Sequence, residues 1–202
     1  MTCPSSTNLP ARLRAKARYA DAGFASFPGD GPPVERAAAS DLDALASLEQ
    51  ECFDASVAIS RRQFRYLLSR PTVDVWVWRC DGRVVADAVV LRRRTPRGVL
   101  GRLYSLVVAG DQRGRGVGRA LLRSCLKQLL LRGAYAVVLE VRCDNAAALA
   151  LYRIEGFQTT GRIEGYYGDG RSALRMRRRV GGDQPDFTWS HAFAQSLLKV
   201  GQ

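Results

Sequence analysis

The sequence predicts an α/β (α+β) fold in which a mixed central sheet of about six to seven strands is flanked by about four helices. Three observations predict it. The hydrophobic period switches repeatedly between helical and strand spacing. Three strand-like runs follow one another through tight turns, which makes an antiparallel meander. Later strands alternate with helices, and such crossovers join parallel neighbours. At 202 residues, one core with extensions is the expectation.

Residues 1–33 contain Pro4, Pro10, Pro28, Pro32 and Pro33 and a basic stretch, and read as an extension with room for one short helix. The domain is expected over 34–180, its first strand starting near Val34. Leu42, Leu45, Leu48 and Cys52 recur at helical spacing within Asp41–Phe53, with Ser40 as candidate N-cap. A second helix is expected over Ser60–Ser69. Val73–Arg79 and Arg83–Leu91 are β-branched and aromatic runs joined by Asp81-Gly82, a hairpin signal. The turn Thr95-Pro96-Arg97-Gly98 leads into a third strand, Leu100–Val108.

A glycine-rich loop at 113–118 precedes a helix over about 118–132 closed by Gly133, then a buried strand, Ala136–Val141. Asp144 and Asn145 cap an alanine-rich helix to Glu155, and Gly156 ends it. Strands Phe157–Ile163 and Ser172–Arg179 complete the domain. The tail 181–202 carries Phe187, Trp189, Phe193, Leu197 and Leu198; these fit an amphipathic helix that docks on its own domain or on a partner.

Composition excludes several functions. Apolar runs such as Leu126–Leu131 fall far short of the ~18 residues of a spanning helix, so no membrane segment is expected. Arg12, Arg14, Lys16 and Arg18 stand where a secretory leader would be apolar, which points to a cytoplasmic protein. Cys3, Cys52, Cys80, Cys125 and Cys143 are scattered without a CxxC pair, so neither a disulfide framework nor a metal site is expected. His191 is the single histidine and lies in the tail, leaving no material for Ser-His or Cys-His catalysis. The net charge of +12 fits a polyanionic partner or solubility alone; no nucleic-acid reader motif accompanies the basic clusters.

Arg113-Gly114-Arg115-Gly116-Val117-Gly118 sits between a strand and a helix, where unpaired N–H groups and the helix dipole favour a phosphate. A P-loop is excluded because no Gly-Lys-Ser/Thr follows. For a dinucleotide fold, Glu140 lies at about the expected distance downstream, but the glycines are spaced GxGxG and too little chain remains for a second half. A plain glycine-rich turn is the remaining alternative.

This loop resembles the acyl-CoA signature Arg/Gln-x-x-Gly-x-Gly/Ala of the GCN5-related N-acetyltransferases (GNAT). Leu139-Glu140-Val141-Arg142, Asn145, Ala150-Leu151-Tyr152, Gly156-Phe157 and Gly165-Tyr166-Tyr167 extend the similarity to the RimI-type branch, which acetylates the N-terminal alanine of a ribosomal protein. The resemblance covers about 34–180. It implies acetyl-CoA as cosubstrate, a protein N-terminus as acceptor and no metal. It further implies that Leu106, Val107 and Val108 lend backbone groups to pantetheine, and that the amides of Gly114, Arg115, Gly116, Val117, Gly118 and Arg119, next to Arg113, hold the pyrophosphate.

On its own, Glu140 shares a strand face with Val138 and Arg142 and reads as solvent-facing or Arg-paired; the resemblance makes it the general base. Tyr152 lies two turns after Asn145 on one helix face and reads as a core tyrosine; the resemblance makes it the general acid. Asn145 is a helix cap, a cofactor ligand, or both. Tyr166 and Tyr167 resemble residues that line the peptide groove. The basic segment around Arg171 and Arg175–Arg179 complements a basic ribosomal tail less well, which keeps a small amine or an acidic acceptor open as the substrate. A non-catalytic binding module on the same scaffold is the third reading.

Overall fold

The computed structural model describes residues 34–54 and 57–180. The expected extension 1–33 and tail 181–202, with His191, lie outside the described residues. Seven strands form one mixed sheet: β1 (Glu35–Arg36), β2 (Val73–Cys80), β3 (Arg83–Thr95), β4 (Gly98–Val108), β5 (Ala134–Arg142), β6 (Gln158–Ile163) and β7 (Ala173–Arg179). Their order is β1-β2-β3-β4-β5-β7-β6. Only β4 and β5 run parallel. Among the described residues four α-helices accompany them: α1 (Leu42–Cys52), α2 (Arg61–Leu68), α3 (Val117–Leu131) and α4 (Ala146–Ile154). No helix among the described residues is long and apolar enough to cross a membrane.

Local chemistry explains where the elements begin and turn. Asp81 and Gly82 both take positive φ, 49° and 78°, which matches the twist a two-residue hairpin needs. Ser60 caps α2 through a reciprocal box: its hydroxyl accepts from the Gln63 N–H, while the Gln63 side chain accepts from the Ser60 N–H at 2.8 Å. Ser40 does not cap α1. It lies inside a 3-10 turn, Ala39–Asp41, and α1 starts one residue later than expected. The Asp41 carboxylate turns back to the Ala38 N–H (2.8 Å) and pairs with Arg79 (2.8 Å), which fixes that turn. The strand β3 runs on to Thr95, beyond the apolar stretch, because Arg92–Thr95 still pair with Gly98–Gly101. Strand pairing, not apolarity, sets its length.

The sheet buries both faces. Leu121, Leu122, Cys125, Leu126 and Leu129 of α3 and Leu149 and Tyr152 of α4 pack against Val137, Leu139 and Val141. On the other face, Leu45 and Leu48 of α1 and Phe64 and Leu67 of α2 cover Val75, Val85, Val89 and Val107. Gly101 is required where α3 crosses β4: a Cβ there would stand 2.8 Å from Leu129 Cδ1.

A discontinuity in β4 positions the site. The β3–β4 register shifts so that Leu103 faces Val90 and Ser105 faces Val89, which leaves Tyr104 as the extra residue of a bulge. Pairing between β4 and β5 ends at Leu103 opposite Leu139, although β4 continues to Val108 and β5 to Arg142. The two strands splay apart over those last residues.

Two predictions concern stability. Gly101→Ala should destabilise the fold by about 1–3 kcal/mol in chemical denaturation, since Leu129 must move. Asp87 is fully buried and neither carboxylate oxygen has a hydrogen-bond partner. Burial first, and the neighbouring Glu49 second, push its carboxyl well above the ordinary value. Because the folded-state pKa exceeds the unfolded one of about 3.9, the stabilisation present below that pH is lost as pH rises through the folded value. Asp87→Asn should therefore flatten the fall of Tm as pH rises above the ordinary carboxylate range of about 4.

Candidate active site

The glycine loop delivers backbone N–H groups to one place. Gly114 and Gly116 adopt φ of 74° and 82°, a left-handed conformation natural to glycine. Gly116 precedes α3 and offers no side-chain cap. The N–H of Ala120 closes the first helical turn on Gly116 O at 3.0 Å, so the N–H groups of Val117, Gly118 and Arg119 precede the helical ladder and form an anion-seeking end. They border a cleft of about 540 Å³, whose walls include Leu106, Val108, Asn145, Leu151 and Tyr152. The loop's cations have protein partners: Arg113 Nε donates to Val108 O (3.0 Å), and Arg119 Nε to Glu155 Oε1 (2.6 Å). Arg115 is exposed and does not border the cleft. Attraction for a phosphate thus combines main-chain dipoles with the charge of Arg113, which borders the cleft and whose partner is a neutral carbonyl.

The splay exposes main-chain groups of β4. The Ala109 N–H donates to Val85 O at 2.9 Å; by two-residue alternation, the Val107 groups face β3, and those of Leu106 and Val108 face the gap. Of the three residues expected to lend backbone groups, Leu106 and Val108 are so placed, and Val107 is not. Asn145 caps α4 by accepting from the Ala148 N–H at 3.0 Å, and it borders the gap as well.

A second cleft, of about 580 Å³, opens on the α1 side and meets the first at Cys52, Phe53, Leu106, Asn145, Ala148 and Tyr152. Glu140 lies in its floor and is Arg-paired. Arg102 Nε donates to Glu140 Oε2 at 2.8 Å, and Arg175 Nε to Oε1 at 3.3 Å. The Arg102 and Glu140 side chains are each only 3% exposed. Arg102 Nη2 also donates to the Tyr166 hydroxyl at 2.9 Å. Tyr166 and Tyr167 meet edge to face at 4.9 Å and form one wall. Arg171, expected as a basic spot, pairs with Asp144 (3.0 Å) and Asp169 (3.3 Å), and Arg142 shares the same two aspartates. Tyr152 packs edge-on against Phe157 at 5.7 Å, and burial pushes its phenol up, so it stays protonated.

A phosphate-binding helix end, a gap between two parallel strands, and a carboxylate across that gap suit transfer of an acyl group from a nucleotide-bearing thioester. A family profile described as "Acetyltransferase (GNAT) family" matches residues 42–157. The chain belongs to the GNAT acetyltransferase family. It is similar to the N-alpha-acetyltransferase RimI of Mycobacterium tuberculosis, at 38% identity over 156 residues, 75% of this chain and 96% of that protein. It is also similar to the [Ribosomal protein bS18]-alanine N-acetyltransferase of Escherichia coli, at 42% identity over 65 residues, 32% of this chain and 44% of the relative. The crystal structure of the ribosomal-protein-S18-alanine N-acetyltransferase from Escherichia coli superposes with a TM-score of 0.66 at 26% identity, covering 78% of this chain and 99% of that one.

This GNAT acetyltransferase is therefore an acetyl-CoA-dependent N-acetyltransferase. Sequence reasoning missed Arg102, Glu49 and Ser105, which border the second cleft, and had Arg175 only as part of a basic strand, not as a partner of Glu140. Arg102 had a legible signal: a cation between Gly101 and Leu103, in a strand otherwise apolar on both sides, needs a buried counter-charge. Glu49 and Ser105 gave none, because each fits an exposed helix or strand position as well.

Gly118 allows β4 and α3 to approach, since a Cβ there would lie 3.2 Å from Val108 Cγ2. Gly118→Val should weaken acetyl-CoA binding at least about tenfold in calorimetry, with Tm falling by a few degrees only.

Proposed function

We propose that this enzyme moves the acetyl group of acetyl-CoA directly to the N-terminal α-amine of a protein, with an alanine terminus of a ribosomal protein as the substrate class. The observation that carries the reading is the meeting of two clefts through the β4–β5 gap, with Glu140 on one side and Tyr152 at the junction. The named activities of the Mycobacterium tuberculosis and Escherichia coli relatives support the acceptor class.

In this reading the pyrophosphate lies on the amides from Gly114 to Arg119, and pantetheine runs along Leu106 and Val108. The thioester then reaches the gap, where the free Val108 N–H polarises its carbonyl. Tyr166 and Tyr167 line the peptide groove. An amine must be neutral to attack. An α-amine, with pKa about 7.7 to 8.0, has a sizeable neutral fraction near neutrality, whereas lysine at about 10.4 has almost none. Arg102 occupies Glu140 Oε2 through both Nε and Nη2, whereas Oε1 meets only Arg175 at 3.3 Å and keeps a lone pair to accept a proton from the amine, directly or through water. Tyr152, held protonated by burial, donates its phenol proton to the departing CoA thiolate. No acyl-enzyme is involved; Cys125 is buried between α3 and the sheet, where burial pushes its thiol up.

The catalytic domain in this proposal spans 34–180, flanked by the extension 1–33 and the tail 181–202. The free thiols of Cys52, Cys80, Cys125 and Cys143 suit a reducing cytoplasm. A second reading, with a small or acidic amine as acceptor, is favoured by one observation: two arginines face one glutamate in the cleft floor.

Release of CoA thiol should be seen with a peptide beginning Ala-Arg and abolished when its N-terminus is blocked. Glu140→Gln and Tyr152→Phe should each lower kcat by roughly 10² to 10⁴ and leave acetyl-CoA affinity unchanged. Full activity in both variants would remove these roles. Turnover of small amines but of no peptide would favour the second reading.

A further inference from the structure

A protonated amine loses two protons on becoming an amide. The first must leave before the nitrogen can attack, and the second leaves the tetrahedral adduct. One of the two replaces the proton that the departing thiolate acquires, and the other goes to solvent. A single carboxylate at the acceptor would have to serve both departures, yet the acceptor cleft holds a second one.

Glu49, on α1, borders the cleft and is 1% exposed. Its Oε1 accepts from the Ser105 hydroxyl at 2.7 Å, and its Oε2 from the Ile59 N–H at 3.1 Å. Ser105 borders the same cleft and is half-buried, so its oxygen keeps a lone pair available there. The bulge at Tyr104 creates this juxtaposition. Without the extra residue, strand alternation would put Tyr104 and Ser105 on opposite faces; here Tyr104 packs on the α1-side core and Ser105 reaches α1 as well.

The groups facing Glu49 are Asp87 of β3 and Tyr104 and Ser105 of β4. Burial pushes up the carboxyls of both Glu49 and Asp87. The Tyr104 phenol is pushed up to about 12, also by burial. None of these neighbours is a cation, in contrast to the surroundings of Glu140. Two carboxylates in one cleft with such different environments suit two different proton transfers.

We propose that Ser105 and Glu49 form a proton-accepting dyad that takes the first proton from the acceptor ammonium, leaving the second to Glu140. The ammonium N–H bond breaks and its proton passes to Ser105 Oγ, while the Ser105 hydroxyl proton passes to Glu49 Oε1. The nitrogen keeps the electron pair with which it attacks the thioester carbon. The positive charge on nitrogen and the negative charge on Glu49 disappear together, so no net charge is left in the cleft. After product leaves, Glu49 returns its proton to water through the open cleft. Ser105 is the residue that touches the amine, and Glu49 acts through it. The inference rests on an amine acceptor occupying the α1-side cleft, as in the function proposed above.

The test compares wild type, Ser105→Ala, Ser105→Thr and Glu49→Gln in the full chain, with CoA release from an Ala-initiated peptide measured from about pH 6.5 to 9. Ser105→Ala keeps the Ile59 anchor of Glu49, so the fold is preserved. It should lose roughly a hundredfold in kcat/KM at about pH 6.5 and recover to within about threefold near pH 9, where the α-amine is already neutral. Glu49→Gln should show the same recovery, and Ser105→Thr should retain the wild-type profile. A loss of equal size at every pH, or wild-type turnover by Ser105→Ala at low pH, would overturn the dyad. If wild type leaves every peptide untouched, the N-terminal acceptor is refuted separately. The same comparison on a turned-over small primary amine then decides the dyad, with recovery displaced toward the higher pKa of that amine.

Discussion

One extra residue in β4 governs the chemistry of this fold. The bulge at Tyr104 bends the strand away from β5 after a parallel ladder that ends at Leu103 and Leu139. The groups given roles in the proposed function border the resulting gap: the main-chain groups of Leu106 and Val108, the cap of α4 at Asn145, the phenol of Tyr152 and the Glu140 carboxylate. A regular β4 would satisfy its own backbone against β5 and have none left for a ligand. The same residue shifts the strand's alternation, so Ser105 faces α1.

The gap stays open because charges and packing around it are already satisfied by protein partners. Glu155, at the end of α4, is only 5% exposed and accepts from Arg119 and Arg123 of α3, with Arg178 of β7 at 3.7 Å. Burial alone would push that carboxyl up, but the Arg123 and Arg119 hydrogen bonds outweigh it and hold the group below its usual value. This cluster ties α3 to the last helix and to the sheet. Across the gap, Arg102 and Arg175 fix the Glu140 rotamer, with Tyr166 hydrogen-bonded to the same guanidinium. Both walls are therefore preorganised before a ligand arrives.

The architecture was largely legible, since period changes, Asp81-Gly82, the glycine loop and the Asn145 cap each carry local physics that the fold obeys. Element ends were less so: Arg92–Thr95 look like loop but lie in β3, because a partner strand compensates for their polarity. The Glu140 reading as an Arg-paired residue matched its surroundings, but the partners came from strands 38 and 35 residues away. Neither spacing nor period encodes a contact across a sheet. The bulge was invisible for the same reason, since a register shift belongs to two strands and the sequence of β4 alone reads as an uninterrupted run.

The two clefts share the end of α1 at Cys52 and Phe53 and diverge beyond it, one toward the tyrosine pair, the other toward the N-termini of α3 and α4. Traffic through the enzyme is thereby divided. Under the proposed function, a bulky acceptor standing over Tyr166 and Tyr167 would leave the route past Gly116 clear, so spent CoA could be exchanged without the acceptor being released. The size of what is acetylated is limited by the width of one doorway only, and turnover need not follow a single order of departure.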